Sequence, residues 1–141
     1  MQKLIAGTYH AFIGLFTKKN SEFSTYLLEI FTNVWWSTVL VAFVLVLIYY
    51  YAFNTPNTVL GRTWNSLSKW LMTLLLVAGA GAWLAYYVSL KHGVERSQYL
   101  GYFIIGNALV GALWFFLWSV ALKRKSTQAW TTPFPWPAFS R

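Results

Sequence analysis

The chain has no cysteine and no aspartate, and its only acids are Glu22, Glu29 and Glu95. Without cysteine there is no disulfide framework, no thiolate nucleophile, no cysteine-ligated metal and no clue to redox compartment. Charge of either sign is scarce: 10% of the 141 residues are charged, against roughly 25% in an ordinary soluble domain. So few charges cannot cover a water-facing globular surface. The 57% of hydrophobic residues also exclude a disordered chain, which is poor in apolar residues and rich in charge. No Asn-x-Ser/Thr acceptor occurs, since Asn20-Ser21-Glu22 and Asn54-Thr55-Pro56 both fail the pattern. The stretch after Lys3 is broken by Gly7, Thr8 and His10, unlike the clean apolar core of a secretory signal.

What is present is long apolar runs. Val34–Phe53, Trp70–Leu90 and Tyr99–Leu122 hold 20, 21 and 24 residues without one charge. A hydrocarbon core of about 30 Å takes roughly 20 helical residues at about 1.5 Å each. Continuous apolar runs, rather than alternation, favour helices over a barrel. The sequence therefore predicts an all-α integral membrane protein with three transmembrane helices, 34–53, 70–90 and 99–122. Asn54-Thr55-Pro56-Asn57 stops the first run. The connections, about 54–69 and 91–98, are short, so the spans run up-down-up and the termini lie on opposite faces.

Arms flank this 34–122 unit. In residues 1–33, Ile5, Tyr9, Phe12, Ile13 and Phe16 fall on one helical face, opposite Lys3, Gly7, His10, Gly14, Thr17 and Lys18. That pattern predicts an amphipathic helix, either lying in the membrane interface or packed on a partner subunit. Phe23, Leu27, Ile30, Phe31 and Val34 form a second stripe leading into the first span, and Lys18, Glu22 and Glu29 share its solvated side. Residues 123–141 open with Lys123-Arg124-Lys125 and end in Trp130-Thr131-Thr132-Pro133-Phe134-Pro135-Trp136-Pro137-Ala138-Phe139. Alternating proline and aromatics exclude helix and favour an extended, polyproline-like tail. Trp130, Phe134, Trp136 and Phe139 are its candidate partner anchors, because burying large aromatics offsets the cost of ordering an extended chain.

Basic residues nearly balance across the membrane: Lys3, Lys18, Lys19, Lys91 and Arg96 on the N-terminal side; Arg62, Lys69, Lys123, Arg124, Lys125 and Arg141 on the other. Charges next to a span weigh most, and Lys123-Arg124-Lys125 abuts the third span, which favours N-out, C-in. A bacterial inner membrane or an organellar inner membrane is the expected location. Basic residues beside spans suit anionic lipid headgroups rather than nucleic acid.

Intramembrane chemistry usually announces itself by an ionisable residue at membrane depth. The spans hold no acid, Lys, Arg or His; their main polar residues are Ser37, Thr38, Thr73, Asn107 and Ser119. Asn107 is the most informative, because an amide in lipid seeks a partner and so marks an interhelical face. His92 and Glu95 are three apart, but Gly93 between them favours a turn, and two ligands are too few for a structural zinc. His10 reads as interfacial. No metal, no cofactor and no catalysis are expected. Trp35-Trp36, Tyr49-Tyr50-Tyr51, Trp70, Tyr86-Tyr87, Tyr99 and Tyr102 read as interfacial belts. Trp83, Trp114, Phe115, Phe116 and Trp118 lie deeper, where packing is favoured over binding of a quinone, carotenoid or lipid. Small residues form two faces: Ala78, Gly81, Ala82 and Ala85 on the second span, and Asn107, Ala108, Gly111 and Ala112 on the third. Such faces let helices approach closely in lipid. The Val/Leu/Tyr-rich first span then faces lipid or a larger partner.

Two functional readings result. The first is a non-catalytic accessory subunit of a larger membrane complex, held to other membrane subunits by its helices and terminal arms. The alternative is a self-associating pore-former. Three spans, short loops, an outside N-terminus and a basic tail resemble the layout of the class I phage holins. The resemblance spans the chain as layout, without a residue motif, and implies homo-oligomerisation through the spans. The amphipathic N-terminus and the Pro-aromatic tail depart from that layout, and a pore-former assembling through its spans has no need of them.

Overall fold

A computed structural model describes residues 2–16, 26, 30–53, 66–94 and 97–122. The Pro-aromatic tail with Trp130, Phe134, Trp136 and Phe139 lies outside the described residues. So do Lys18, Lys19, Glu22, Glu29, Glu95 and Arg96, and most of the first connection. The described elements are all helical: α1 (Gln2–Gly14), α2 (Phe31–Leu47) running into a π-helical segment (Ile48–Phe53), α3 (Leu67–Lys91) and α4 (Gln98–Leu122). Three stretches are long and apolar enough to cross a membrane: Phe31–Tyr51, Leu67–Lys91 and Gln98–Leu122. The first begins three residues before the charge-free run assigned from sequence, because Thr32 and Asn33 are polar without being helix stops. The second extends past its run at both ends to take in Lys69 and Lys91. These lysines lie about 33 Å apart along the axis, which suits a headgroup layer at each end.

The α3–α4 connection shows why the pair is antiparallel. Gly93 adopts φ 72°, the one described position with left-handed backbone. Gly93 N–H donates to the Leu90 carbonyl at 3.0 Å and Val94 N–H to the Ser89 carbonyl at 3.1 Å. That paired closure is the Schellman motif, which needs a residue without Cβ strain at this site. Val94 is buried beneath it. Ser97 then caps α4, its hydroxyl accepting the Leu100 N–H at 3.3 Å. The helices zip downward from this turn. Gly81 sits against Asn107 and Gly111 against Val77, and Trp70 Nε1 donates to Ser119 Oγ at 3.2 Å.

α2 runs parallel to α4, with Phe31 beside Phe103 at one end and Phe43 beside Trp118 near the other. The α3–α4 contact is the most extensive, followed by α2–α4 and then α2–α3. α1 lies on α2 and α4. Its buried row is Ile5, Tyr9 and Ile13, with Ala6. Phe12 is half-buried and Phe16 exposed, so the apolar stripe read from sequence packs on the chain's own spans. Along α1, Phe12 lies over Gly106 and Phe16 stacks on Tyr102 at 5.1 Å. α1 therefore runs antiparallel to the first half of α4.

Two apolar clusters fill the interior. One joins α1, the start of α2 and the α3–α4 turn around Tyr9, Phe31, Leu100 and Phe103. The other joins Ala42, Val46, Tyr49, Tyr50, Trp70, Val77 and Phe115. The π-helical turn widens the backbone, and Tyr49 and Tyr50 are both fully buried while Tyr51 is 39% exposed. Of that predicted tyrosine belt, only Tyr51 faces outward. Trp70 is likewise buried, drawn in by Ser119.

Candidate functional site: a polar layer between the clusters

Between the two apolar clusters lies one polar layer, and Asn107 is its centre. The residue is fully buried. Its Nδ2 donates to Thr38 Oγ1 at 2.8 Å and to the Gly81 carbonyl at 2.7 Å. Its Oδ1 accepts the hydroxyl proton of Tyr9. Each bond leads to a different helix: Thr38 on α2, Gly81 on α3, Tyr9 on α1. One side chain thus keys all four helices. An amide has two N–H donors and one carbonyl, and Asn107 engages all three groups.

Local sequence explains how the layer assembles. Gly81 lets α4 approach so closely that a Cβ there would lie 2.9 Å from the Asn107 carbonyl oxygen. Gly111 does the same one turn on, with a Cβ position 3.2 Å from the Val77 carbonyl oxygen and 3.3 Å from Thr38 Cγ2. Buried positions step by four along α3 (Thr73, Val77, Gly81, Ala85, Ser89) and α4 (Phe103, Asn107, Gly111, Phe115, Ser119). This is the small-xxx-small spacing of close-packed membrane helices. Of the eight residues assigned to the two small faces, Gly81, Ala85, Asn107 and Gly111 are buried, and Ala78, Ala82, Ala108 and Ala112 are half-buried at the seam's edge.

The layer is electrically neutral. Asn107 is about 13 Å along α4 from Gln98, well inside an apolar slab. Tyr9 enters from α1 with its ring against Phe31 at 5.0 Å, Phe103 at 5.1 Å and Trp35 at 5.8 Å. Burial in that aromatic nest pushes its phenol above the ordinary tyrosine range, keeping it protonated as the donor Asn107 needs. With its donors and its carbonyl spent on helix contacts, the layer has little left to offer a ligand without first losing a helix. Thr73 bonds locally, to the Lys69 carbonyl at 2.9 Å.

The other residues singled out from sequence fall elsewhere. Phe115 is fully buried and Trp114 and Trp118 stack on each other at 5.8 Å. Trp83 faces outward, 60% exposed, stacked on Tyr87 at 5.2 Å. Trp35 packs one turn inside α2 on Tyr9 and Trp114, not in a belt, whereas Trp36 is 50% exposed. His92 sits at the end of α3, in the turn. The partner that sequence reasoning missed is Tyr9. Its signal was a hydroxyl in the middle of an otherwise apolar stripe.

No protein-family model, no curated protein and no solved structure matches the chain.

Proposed function

We propose that this protein is a non-catalytic structural subunit of a larger membrane complex, a compact helical unit that other membrane subunits pack around. One observation carries the reading: the polar side chain at the centre of the bundle is spent on joining its own four helices. A transporter or intramembrane enzyme keeps polar or ionisable groups at that depth available to its substrate. A second observation supports it. In an 18-residue apolar window of each span only 33%, 22% and 33% is buried within the chain, so most of that helical surface is left for lipid or neighbouring subunits. On this reading α1 is a brace inside the unit. The basic and Pro-aromatic tail anchors the subunit to its partners through Trp130, Phe134, Trp136 and Phe139. The outer face of the N-terminal arm, held at the depth of Asn107, is left to lipid or a neighbouring subunit, and the basic residues flanking the spans meet anionic headgroups. The orientation is N-out, C-in, in a bacterial or organellar inner membrane, without a metal or cofactor of its own.

The test is deletion of residues 127–141 followed by isolation from the native membrane in mild detergent. The full chain is expected to bring other membrane polypeptides with it at fixed stoichiometry. The truncated chain is expected to insert normally and lose them. Full co-isolation by the truncated chain would overturn the anchoring role, and a full chain that isolates alone and conducts ions in planar bilayers would favour the holin-like alternative.

A further inference from the structure

From its Gly14 end towards Gln2, α1 descends into the apolar slab. Phe16 stacks on Tyr102, Phe12 lies over Gly106 and Tyr9 reaches Asn107, so the residues before Tyr9 lie deeper still. Asn107 is about 13 Å along α4 from Gln98, and Lys3, six residues before Tyr9, is about 9 Å further in. On the same scale Lys3 stands about 14 Å short of the level of Leu122, more than a lysine's four-carbon stem spans. Lys3 is exposed, off the buried row of Ile5, Tyr9 and Ile13. The three charge-free runs hold no ionisable residue of this kind; α1 brings one to membrane depth beside them.

A lysine in hydrocarbon is costly, and ionisable residues at that depth pair with an opposite charge or line a watery cavity. Along the same outer face come Gly7, Ala11 and Gly14, all exposed and without a polar side chain to hold a small ligand. The Thr8 hydroxyl beside them donates to the Leu4 carbonyl at 3.0 Å. What this face admits is another helix. A Cβ at Gly7 would meet nothing within 4 Å, and small residues let helix backbones approach closely in lipid. The charge then fixes the chemistry of that helix, because a cation in a low-dielectric slab calls for an anion at contact. A second copy of this chain has none to offer there: its only acids, Glu22, Glu29 and Glu95, lie outside the three apolar stretches. We propose that Lys3 pairs at membrane depth with an aspartate or glutamate in a transmembrane helix of a different polypeptide, seated along Lys3, Gly7, Ala11 and Gly14. The inference rests on the subunit reading and adds to it the chemistry of one partner.

Three measurements on native membranes test the pairing. A lipid-soluble carbodiimide joins an amine to a carboxylate in contact with it, as an amide, and is itself hydrated to the urea. Peptide mass spectrometry is expected to find Lys3 joined to an acidic residue in an apolar stretch of another polypeptide. Absence of that adduct from membranes in which the full chain co-isolates with other polypeptides would overturn the pairing and leave the subunit reading standing; a full chain that isolates alone would overturn both. A water-soluble acetylating reagent, applied to membranes open on both faces, should modify Lys3 about tenfold or more slower than Lys91, which is exposed at the end of α3. Equal rates would overturn the proposal, since the amine would then reach water and headgroup phosphates. Lys3→Met and Lys3→Glu, changed at an exposed position, are expected to lower the co-isolated partner about tenfold or more, and Lys3→Arg to retain it. Full recovery of the partner with Lys3→Glu would contradict the pairing.

Discussion

Placing one methyl group at Gly81 probes the bundle at its tightest point. In Gly81→Ala the new Cβ would lie 2.9 Å from the Asn107 carbonyl oxygen and 3.4 Å from Thr38 Cγ2. The first contact is with backbone, which no rotamer change can relieve, so α3 and α4 must move apart by about half an ångström. Overpacking of this kind costs about 1–3 kcal/mol. The same movement stretches the 2.7 Å bond from Asn107 Nδ2 to the Gly81 carbonyl, part of an interaction worth about 0.6–1.7 kcal/mol in a membrane. Replacing glycine in a helix returns up to about 1 kcal/mol. The net expectation is destabilisation by about 1–3 kcal/mol. Gly79, two residues away on the same helix, is the control, because nothing lies within 4 Å of its Cβ position. Gly79→Ala keeps the propensity gain without the clash and should be neutral or up to about 1 kcal/mol more stable. The assay is reversible unfolding in mixed micelles on raising the dodecyl sulfate fraction, followed by tryptophan fluorescence. Equal stability of the two variants would refute the close approach of α3 and α4 at this point.

Three further outcomes follow from the polar layer. Asn107→Leu removes three interhelical bonds and should cost about 2–5 kcal/mol in the same unfolding assay; a loss below that of Tyr9→Phe would contradict its central place. Tyr9→Phe removes one bond and should cost about 0.5–1.5 kcal/mol, read also as faster proteolysis of α1 while the spans stay protected. Because the folded state raises the Tyr9 pKa, the contribution of its protonated hydroxyl is complete below the free phenol's value of about 10 and is lost as pH rises beyond it. Wild-type protein should therefore lose its stability margin over Tyr9→Phe only above about pH 10, and a margin lost near neutrality would contradict the burial of that hydroxyl.

The spans were legible because charge is so completely segregated in this sequence that length alone locates three helices. Their ends were less so, since Thr32, Asn33 and Lys69 fit a helix end as well as a loop. The small faces around Gly81 and Gly111 could be read because few residue types permit that approach in lipid, and Asn107 stood out as a lone amide among apolar residues. What joins it could not be read. The bond to Tyr9 links residues 98 positions apart, and no local pattern says which tertiary partner an amphipathic stripe will choose. The aromatic belts misled at Trp35, Trp70, Tyr49 and Tyr50 for a related reason. Trp and Tyr suit both the headgroup layer and a helix interface, and their choice depends on contacts such as Ser119 beneath Trp70 and on the π-helical turn at the end of α2.

Native mass spectrometry of the protein released from its own membrane in mild detergent tests the structural-subunit reading most directly. The expected particles hold this 16.2 kDa chain accompanied, at fixed stoichiometry, by different membrane polypeptides. Particles made of this chain alone, in a ladder of homo-oligomers that conduct ions when reconstituted, would contradict it.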